Sequence, residues 1–301
     1  MKAIRFAEYG GPDVLKLVDT DPPHAGPGQI RIRVAAAGVN GLEWKIRSGE
    51  LRDVRPLHLP AGVGGDAAGT VDELGNGVID VQLGDPVFGS GSETYAEQAV
   101  LTSWAPKPVE VSFEEAAGYP TPLETATRVL ADAGVQAQQT VLVNGASGGV
   151  GSAVVQLAIE RGAVVIGVAG SGNQGYLASL GATPTTYGPG LTERVRVLAP
   201  EGVAVALDIA GSGIVPELIA LTGDPDRVVS IADFSAPGHG ARVSTGFGAD
   251  KGPALREGAR LAAAGRFTLP IARRYPLAEA GAAHNESATG HARGRIIITV
   301  P

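Results

Sequence analysis

Residues 140–151 read TVLVNGASGGVG, and this stretch decides how the rest of the chain is organised. An apolar, β-branched run ends at a cluster of glycines, and an apolar segment of helical character follows over residues 154–159. Strand, glycine turn and helix is the order that a dinucleotide-binding unit requires. Gly145, Gly148 and Gly151 lie three residues apart, a spacing that serves a tight turn, a close approach to pyrophosphate and helix–strand packing. The stretch predicts a nucleotide site with a helix N-terminus facing the phosphates.

The overall composition is typical of a globular protein with two domains. The chain has 301 residues, of which 44% are apolar and 18% charged, and its net charge is −7. No basic block occurs, which argues against nucleic acid as a partner. No apolar run approaches the roughly 20 residues of a membrane span, and the chain begins like a strand rather than a signal peptide. We therefore expect a cytoplasmic protein with no membrane association.

Metal binding is not expected. The chain contains no cysteine, which excludes disulfides and thiolate-bound zinc. Its five histidines show no spacing typical of metal ligands.

The pattern of apolar and turn residues divides the chain into three segments. The first segment, residues 1–117, contains short alternating runs separated by Gly/Pro turns up to about residue 110, which predicts an all-β, barrel-like unit. Over residues 118–245, apolar runs alternate with helical patterns, which predicts a parallel sheet. Residues 246–301 contain a helix at 252–264, an irregular segment and a closing strand at 295–300. Because no helix follows that strand, we expect it to pair with the first segment, so that the nucleotide domain is an insertion.

Helix starts are marked by two capping-box spacings. Ser112 precedes Glu115 by three residues, and Thr121 precedes Glu124 by three, with Pro122 between them at the first helical position. The second helix is predicted to run to about residue 133.

The chain resembles the medium-chain dehydrogenase/reductase superfamily, and within it the zinc-independent quinone oxidoreductase-like enzymes. The resemblance extends over nearly the full length and is carried by the motifs AAGVN at 36–40, WKIRSG at 44–49, GGDAAG at 64–69, GDPVFG at 84–89, NGASGGVG at 144–151, YPLAEA at 275–280 and GRII at 294–297.

The resemblance implies an α/β protein with a GroES-like β-barrel domain and a Rossmann-type, doubly wound parallel sheet, with a cleft between them. It implies NADPH as cofactor, a quinone or enone as substrate, and a homodimer joined through the edge strand of the nucleotide sheet. Either 228–231 or 241–245 would supply that edge.

The motif and the resemblance together predict a set of cofactor-binding residues, namely Asn40, Thr125, Gly145, Ser147, Gly148, Gly149, Val150, Gly151, Ser171, Asn173, Tyr187, Ala232 and Phe234. The loop after the second strand of the sheet holds no acidic residue, so it would not repel a 2′-phosphate. Relatives often carry Arg or Lys in this loop, where this chain has Gly172 and Asn173. Ser171 is a ligand or a turn residue, and Phe234 lines the substrate site or fills the core.

Asn40 and Lys45 are the predicted catalytic residues, because they match positions near the nicotinamide in the resembling enzymes. Asn40 would orient the cofactor or substrate, or else it closes a turn. The Lys45 ammonium would stabilise negative charge on a substrate oxygen, or else it is a solvated surface lysine. We expect Glu43 to pair with Lys45 or Arg47.

Two further positions are interpreted through the resemblance. Asp66 is taken first as an inter-domain hydrogen-bonding residue and second as a proton relay. The zinc-dependent branch carries a cysteine ligand where this chain has Asn40, so hydride transfer is expected to need no metal.

The leading hypothesis is therefore an NADPH-dependent reductase of quinones or similar conjugated carbonyls. One alternative is a 2-alkenal or enoyl reductase of the same superfamily. An alternative of another class is a non-catalytic, nucleotide-binding protein.

Overall fold

The computed structural model describes residues 1–246 and 250–301. Its strands are β1 (Lys2–Phe6), β2 (Lys16–Asp19), β3 (Ile30–Val39), β4 (Ala61–Gly62), β5 (Asp66–Leu74), β6 (Pro86–Ser92), β7 (Gln98–Pro106), β8 (Thr140–Asn144), β9 (Val164–Ala169), β10 (Thr183–Thr186), β11 (Val205–Asp208), β12 (Val228–Ser230), β13 (Arg242–Val243), β14 (Ile271–Pro276) and β15 (Arg295–Thr299). Its α-helices are α1 (Gly41–Ser48), α2 (Phe113–Ala117), α3 (Pro120–Asp132), α4 (Gly149–Glu160), α5 (Gln174–Ser179), α6 (Leu191–Leu198), α7 (Val215–Thr222), α8 (Gly252–Ala263) and α9 (Ala280–Ala288).

The chain divides into two compact units, each a few residues displaced from the boundaries predicted above. The barrel unit comprises Met1–Thr121 and Asp250–Pro301, and the parallel-sheet unit comprises Pro122–Ala249.

The barrel unit is built on a six-stranded sheet in the order β14-β15-β3-β5-β6-β7, and β3 also pairs with β7. That additional pairing closes β3, β5, β6 and β7 on themselves, so β7 no longer has an exposed edge. A three-stranded sheet, β2-β1-β4, shares one apolar core with it, in which Ile4, Ile32 and Ile298 are almost completely buried. The core forms because alternate residues of each strand point inward.

The parallel-sheet unit has six strands in the order β10-β9-β8-β11-β12-β13, all of them parallel. The first strand in the sequence, β8, lies in the middle, and the strand order reverses there. Val141, Leu142 and Val143 of β8 have no exposed surface. Such continuous burial is expected of a parallel strand covered on both faces, and this unit has the predicted Rossmann-type order.

Several local predictions are confirmed. The closing strand β15 pairs antiparallel with β3 of the barrel unit, with Ile297 opposite Gly38. Ser112 caps α2, and its side chain accepts the backbone N–H of Glu115.

Other local predictions are wrong. The all-β interpretation of the first segment missed α1, although the N-cap residue Asn40 and Glu43, the third residue of the helix, have capping-box spacing. The segment after α8, expected to be irregular, contains β14 and α9. Thr121 does not cap α3, because the helix already begins at Pro120 and the hydroxyl donates to Asp66 instead.

Candidate functional site

The glycine turn predicted from the sequence lies between β8 and α4. Gly145 has a φ of +80°, a left-handed conformation that favours glycine. A Cβ on Gly151 would lie 2.0 Å from the carbonyl oxygen of Gly145, so α4 packs directly on the turn. A Cβ on Gly148 would meet no atom nearer than 3.7 Å. Two of the glycines are therefore needed for the turn and its packing, whereas Gly148 presents an open backbone face.

The start of α4 fits a bound pyrophosphate. Gly148 is the N-cap residue, no side chain caps the helix, and its first turn holds no acidic residue. The first N–H groups of a helix have no acceptor within the helix, and the helix dipole places partial positive charge there. Phosphate oxygens would accept hydrogen bonds from the N–H groups of Gly149, Val150 and Gly151.

The loop after β9 carries residues predicted to bind the adenosine half of the cofactor. Asn173 Nδ2 donates to Ser147 Oγ at 3.1 Å, which joins this loop to the glycine turn. Ser171 is exposed. Tyr187, after β10, is 63% exposed, and its hydroxyl lies 3.6 Å from where a Cβ on Gly170 would be. The structure thus places these polar side chains on neighbouring loops, and their role as ligands stays a prediction.

Three other predicted cofactor residues occupy different surroundings. Thr125 is buried in α3, where its hydroxyl donates to Glu124 Oε2 at 3.2 Å. The backbone N–H of Ala232 donates to Ser230 Oγ at 3.2 Å, close to the end of β12. Phe234 is 65% exposed, so the alternative that it fills the core is wrong.

In the barrel unit, Asn40 lies at the centre of a buried polar cluster. Its Nδ2 donates to Asp66 Oδ2 at 2.9 Å and to Glu43 Oε1 at 3.2 Å, and its Oδ1 accepts from Arg295 Nη2 at 2.9 Å. Both amide hydrogens are therefore used within this unit, and only a second lone pair on Oδ1 remains for another partner. Its predicted role at the cofactor stays a prediction with that restriction.

Asp66 is completely buried and collects donors from several parts of the barrel unit. Its carboxylate accepts from the backbone N–H and the hydroxyl of Thr121, at 3.0 and 2.9 Å, and from Asn40. Arg295 Nη2 lies 3.7 Å from Asp66 Oδ2. Burial lowers the pKa of Arg295, and the charges of Asp66 and Glu43 oppose that shift. Asp66 therefore joins β5, α1 and β15 to the start of α3.

Glu43 does not pair with Lys45 or Arg47, and that expectation was wrong. Its carboxylate accepts from the backbone N–H groups of Asn40 and Gly65, at 2.9 and 3.0 Å, and from Tyr95 Oη at 2.6 Å. As the third residue of α1 it turns back to the N-cap, away from side chains that follow it. Burial raises its pKa to about 7, although these hydrogen bonds favour the ionised form.

Lys45 lies on the same helix in a different setting. It is partly buried, and its Nζ lies 5.5 Å from the centroid of the Trp44 ring. Over the described residues, no carboxylate lies within 4 Å of this ammonium group. Lys45 is thus a cation that is not neutralised by an ion pair.

Arg295 and Tyr95 belong to this cluster, and sequence reasoning assigned them no role. A signal was available for Arg295, since a buried apolar strand, RIIIT, begins with a charged residue. Tyr95 stood in a segment interpreted only as an alternating strand, and its partner Glu43 is 52 residues away.

Two other kinds of site do not occur in the described part of the chain. Residues 1–246 and 250–301 hold no group of three or more His, Asp or Glu side chains arranged to bind a metal. None of the helices within these ranges has both the length and the apolar character of a membrane span.

Comparison with known families identifies the chain. A family model described as the alcohol dehydrogenase GroES-like domain matches residues 26–145, and one described as zinc-binding dehydrogenase matches residues 180–298. The structure of a quinone oxidoreductase from Coxiella burnetii is 31% identical, with a TM-score of 0.86, and covers 100% of this chain and 99% of its own. The chain belongs to the medium-chain dehydrogenase/reductase superfamily. Within it, the chain is similar to quinone oxidoreductases.

Two further similarities agree with that placement. Quinone oxidoreductase of Rattus norvegicus is 42% identical over 177 residues, which cover 57% of this chain and 53% of the rat protein. The chain thus spans about half the length of the curated relatives it matches. A mycobacterial structure described as complexed with NADPH is 27% identical, has a TM-score of 0.80, and covers 99% of this chain and 100% of its own.

The different settings of two glycines generate a prediction. Gly148→Val should fold, because its φ of −73° suits any residue and space surrounds the Cβ, but the side chain should block the phosphates. We expect a melting temperature close to that of wild type and a loss of affinity for the nicotinamide dinucleotide of at least about 100-fold. Gly151→Val is the contrasting variant and should fail to fold stably. Calorimetry and circular dichroism measure both; a folded Gly148→Val protein with unchanged affinity would place the pyrophosphate elsewhere.

Glu43 generates a prediction about pH. Its pKa is 4.5 in its ordinary state and about 7 in the folded protein, so between these values the folded state binds the proton more tightly. The free energy of unfolding should therefore fall as pH rises from 4.5 to 7, by about 3 kcal/mol from this residue, and level off above 7. Urea unfolding across this range measures the effect, and Glu43→Gln should show a smaller fall.

Tyr95→Phe supplies the second arm of that experiment. Removing the hydroxyl takes a donor from the Glu43 carboxylate, so the pKa should rise further and the loss of stability should extend to higher pH. Identical slopes in wild type and both variants would contradict a shifted pKa at Glu43.

Proposed function

We propose that the protein is an NADPH-dependent, zinc-independent oxidoreductase that transfers hydride to a quinone or a similar conjugated carbonyl. The observation that carries the proposal is the open face of Gly148 at the start of α4, in a chain of the medium-chain dehydrogenase/reductase superfamily. The similarity to quinone oxidoreductases supports the choice of acceptor.

The preference for NADPH over NADH rests on the loop after β9. An acidic residue there would bind the ribose hydroxyls of NADH and repel a 2′-phosphate, and this loop has none. Ser171, Asn173 and Tyr187 have hydrogen-bond donors, and Ser171 and Tyr187 are exposed. The NADPH complex of the mycobacterial neighbour supports the same preference.

Lys45 is the residue we propose to act on the acceptor. When bound, NADPH would supply the hydride, and negative charge would then develop on the acceptor oxygen. An ammonium group without an ion-pair partner can donate a hydrogen bond to that oxygen, and the effect is large where water is excluded. Asn40 is held rigidly by Asp66 and Arg295, so we propose that it orients the start of α1, which carries Lys45.

An acceptor panel tests the proposal. Purified protein is mixed with NADPH or NADH and with quinones or 2-alkenals, and loss of the reduced cofactor is followed. We expect turnover of quinones with NADPH. Turnover of enals alone would instead support the 2-alkenal or enoyl reductase, and tight NADPH binding without turnover would support a non-catalytic protein.

We also propose that two copies associate through β13. This strand ends the parallel sheet, and in the described part of the chain it pairs only with β12. An open edge of this kind can pair with a second copy. Sedimentation equilibrium tests the proposal, and a mass of 30.4 kDa, that of one chain, would contradict it.

The role proposed for Lys45 generates a prediction. Lys45→Ala should lower kcat about 10- to 100-fold, because the charge on the acceptor oxygen loses its donor, while NADPH affinity changes less than about twofold. Lys16→Ala, at an exposed lysine of the same unit, is the matched control and should leave both unchanged. Steady-state kinetics and cofactor titration measure the difference. An unaltered kcat would contradict the catalytic role and favour the alternative that Lys45 is a solvated surface lysine.

A further inference from the structure

Three buried polar residues stand side by side at the carboxyl edge of the parallel sheet. Asn144, Asp208 and Ser230 are the last residues of β8, β11 and β12. The strand register places Asp208 opposite Asn144 on one side and opposite Ser230 on the other. Their exposed fractions are 3%, 0% and 0%. We call these three residues the polar row.

Asp208 is the acceptor at the centre of the polar row. Its Oδ1 accepts from Asn144 Nδ2 at 2.8 Å and from the backbone N–H of Gly211 at 3.0 Å, and its Oδ2 accepts from Ser230 Oγ at 2.8 Å. Among the described residues, no Lys, Arg or His lies within 4 Å of this carboxylate. Hydrogen-bond donors alone therefore compensate its burial.

The polar row extends into the three loops that follow its strands. Ser230 Oγ accepts the backbone N–H groups of Ala232 and Asp233, at 3.2 and 2.9 Å. Asn144 Nδ2 also donates to Ser212 Oγ at 3.1 Å. The loops after β8 and β12 therefore begin at Asn144 and Ser230, which both donate to Asp208. The loop after β11 begins at Asp208 itself and donates back to it from Gly211.

The same loops pack against one another without spare room. A Cβ on Gly145 would lie 3.0 Å from Ala210 Cβ, and a Cβ on Gly211 would lie 2.8 Å from Ala232 Cβ. The glycine turn, the loop after β11 and the loop after β12 thus form one stack. A displacement of the middle loop acts first on the loop after β12, because Ser230 bonds both Asp208 and the backbone of that loop.

The sheet order assigns these loops to different parts of a dinucleotide. In a doubly wound sheet the second strand's loop reads the adenosine ribose, and here that strand, β9, lies on one side of β8. β11 and β12 lie on the other side, which belongs to the other mononucleotide half. Asp208 and Ser230 of the polar row therefore lie on the nicotinamide side of β8, and Asn144 lies at the boundary between the two halves.

We propose that Asp208 is a positioning residue for the nicotinamide half of the cofactor, an inference that rests on the proposed function. It acts through the loops after β11 and β12 and does not touch the cofactor itself. Both side-chain oxygens of residue 208 must be acceptors, because Asn144 and Gly211 donate to one and Ser230 donates to the other. In Asp208→Asn, which has the same shape, the new NH₂ group must face a donor or the oxygen of Ser230, which already accepts two hydrogen bonds.

The test compares two ligands in one variant. NADPH spans both halves of the site, whereas 2′,5′-ADP carries only the adenosine half. Asp208→Asn should lower the affinity for NADPH about tenfold and change the affinity for 2′,5′-ADP less than about twofold. Calorimetric titration gives both constants, and wild type must bind NADPH for the proposed function to stand.

Gln174 supplies the matched control on the opposite side of β8. Its Nε2 donates to the carbonyl oxygens of Ala169, Gly170 and Thr185, at 3.0, 3.1 and 3.2 Å, and so holds the ends of β9 and β10. Gln174→Leu should therefore lower the affinities for 2′,5′-ADP and for NADPH by similar factors.

The outcomes separate the inference from the function. If wild type does not bind NADPH, the proposed function fails, and the inference fails with it. Suppose that wild type binds NADPH and that Asp208→Asn lowers the affinities for both ligands equally, or lowers neither. Only the positioning role of Asp208 is then overturned. Should Asp208→Asn not fold, Ser230→Ala decides, because it removes one hydroxyl and should show the same selective loss of NADPH affinity.

Discussion

Parallel strands all end at one edge of their sheet, and this constraint organises the polar interior of the parallel-sheet unit. Side chains in register at that edge must satisfy each other, because the neighbouring strands leave no path to water. Asp208 satisfies this requirement by accepting hydrogen bonds from Asn144 and Ser230 on the two neighbouring strands and from Gly211 in its own loop. The edge that is costly to bury is thereby also the edge where the loops are held in fixed positions.

The barrel unit solves a related problem with opposite charges. Asp66 and Glu43 are both buried, and Arg295 of β15 places its Nη2 3.7 Å from Asp66 Oδ2. Removing one member of such a cluster leaves the others buried without a partner, which costs far more than the intact cluster gains. The barrel unit is therefore incomplete without residues from both ends of the chain.

Features that depend on residues close in sequence could be predicted, whereas contacts between residues distant in sequence could not. The glycine turn, the strand alternation and the cap at Ser112 each depend on residues a few positions apart, and all three were predicted. α1 was missed because it is short, and Asn40 was interpreted through its resemblance and not as a helix start. Glu43 was expected to pair with neighbours in sequence, whereas its shortest hydrogen bond comes from Tyr95, which is distant in sequence.

The sequence by itself determined the strand–turn–helix of residues 140–151. The β-branched apolar run favours an extended strand, and glycine is the residue that readily adopts the positive φ of the turn that follows. Only the tertiary structure decided that Gly148 faces open space while Gly151 is pressed against Gly145. It also decided that Arg295 bonds Asn40, 255 residues away, and that Asp208 bonds two strand ends. The type of a polar residue does not identify its hydrogen-bond partner in the sequence. The pairing depends on which strands lie side by side in the folded protein.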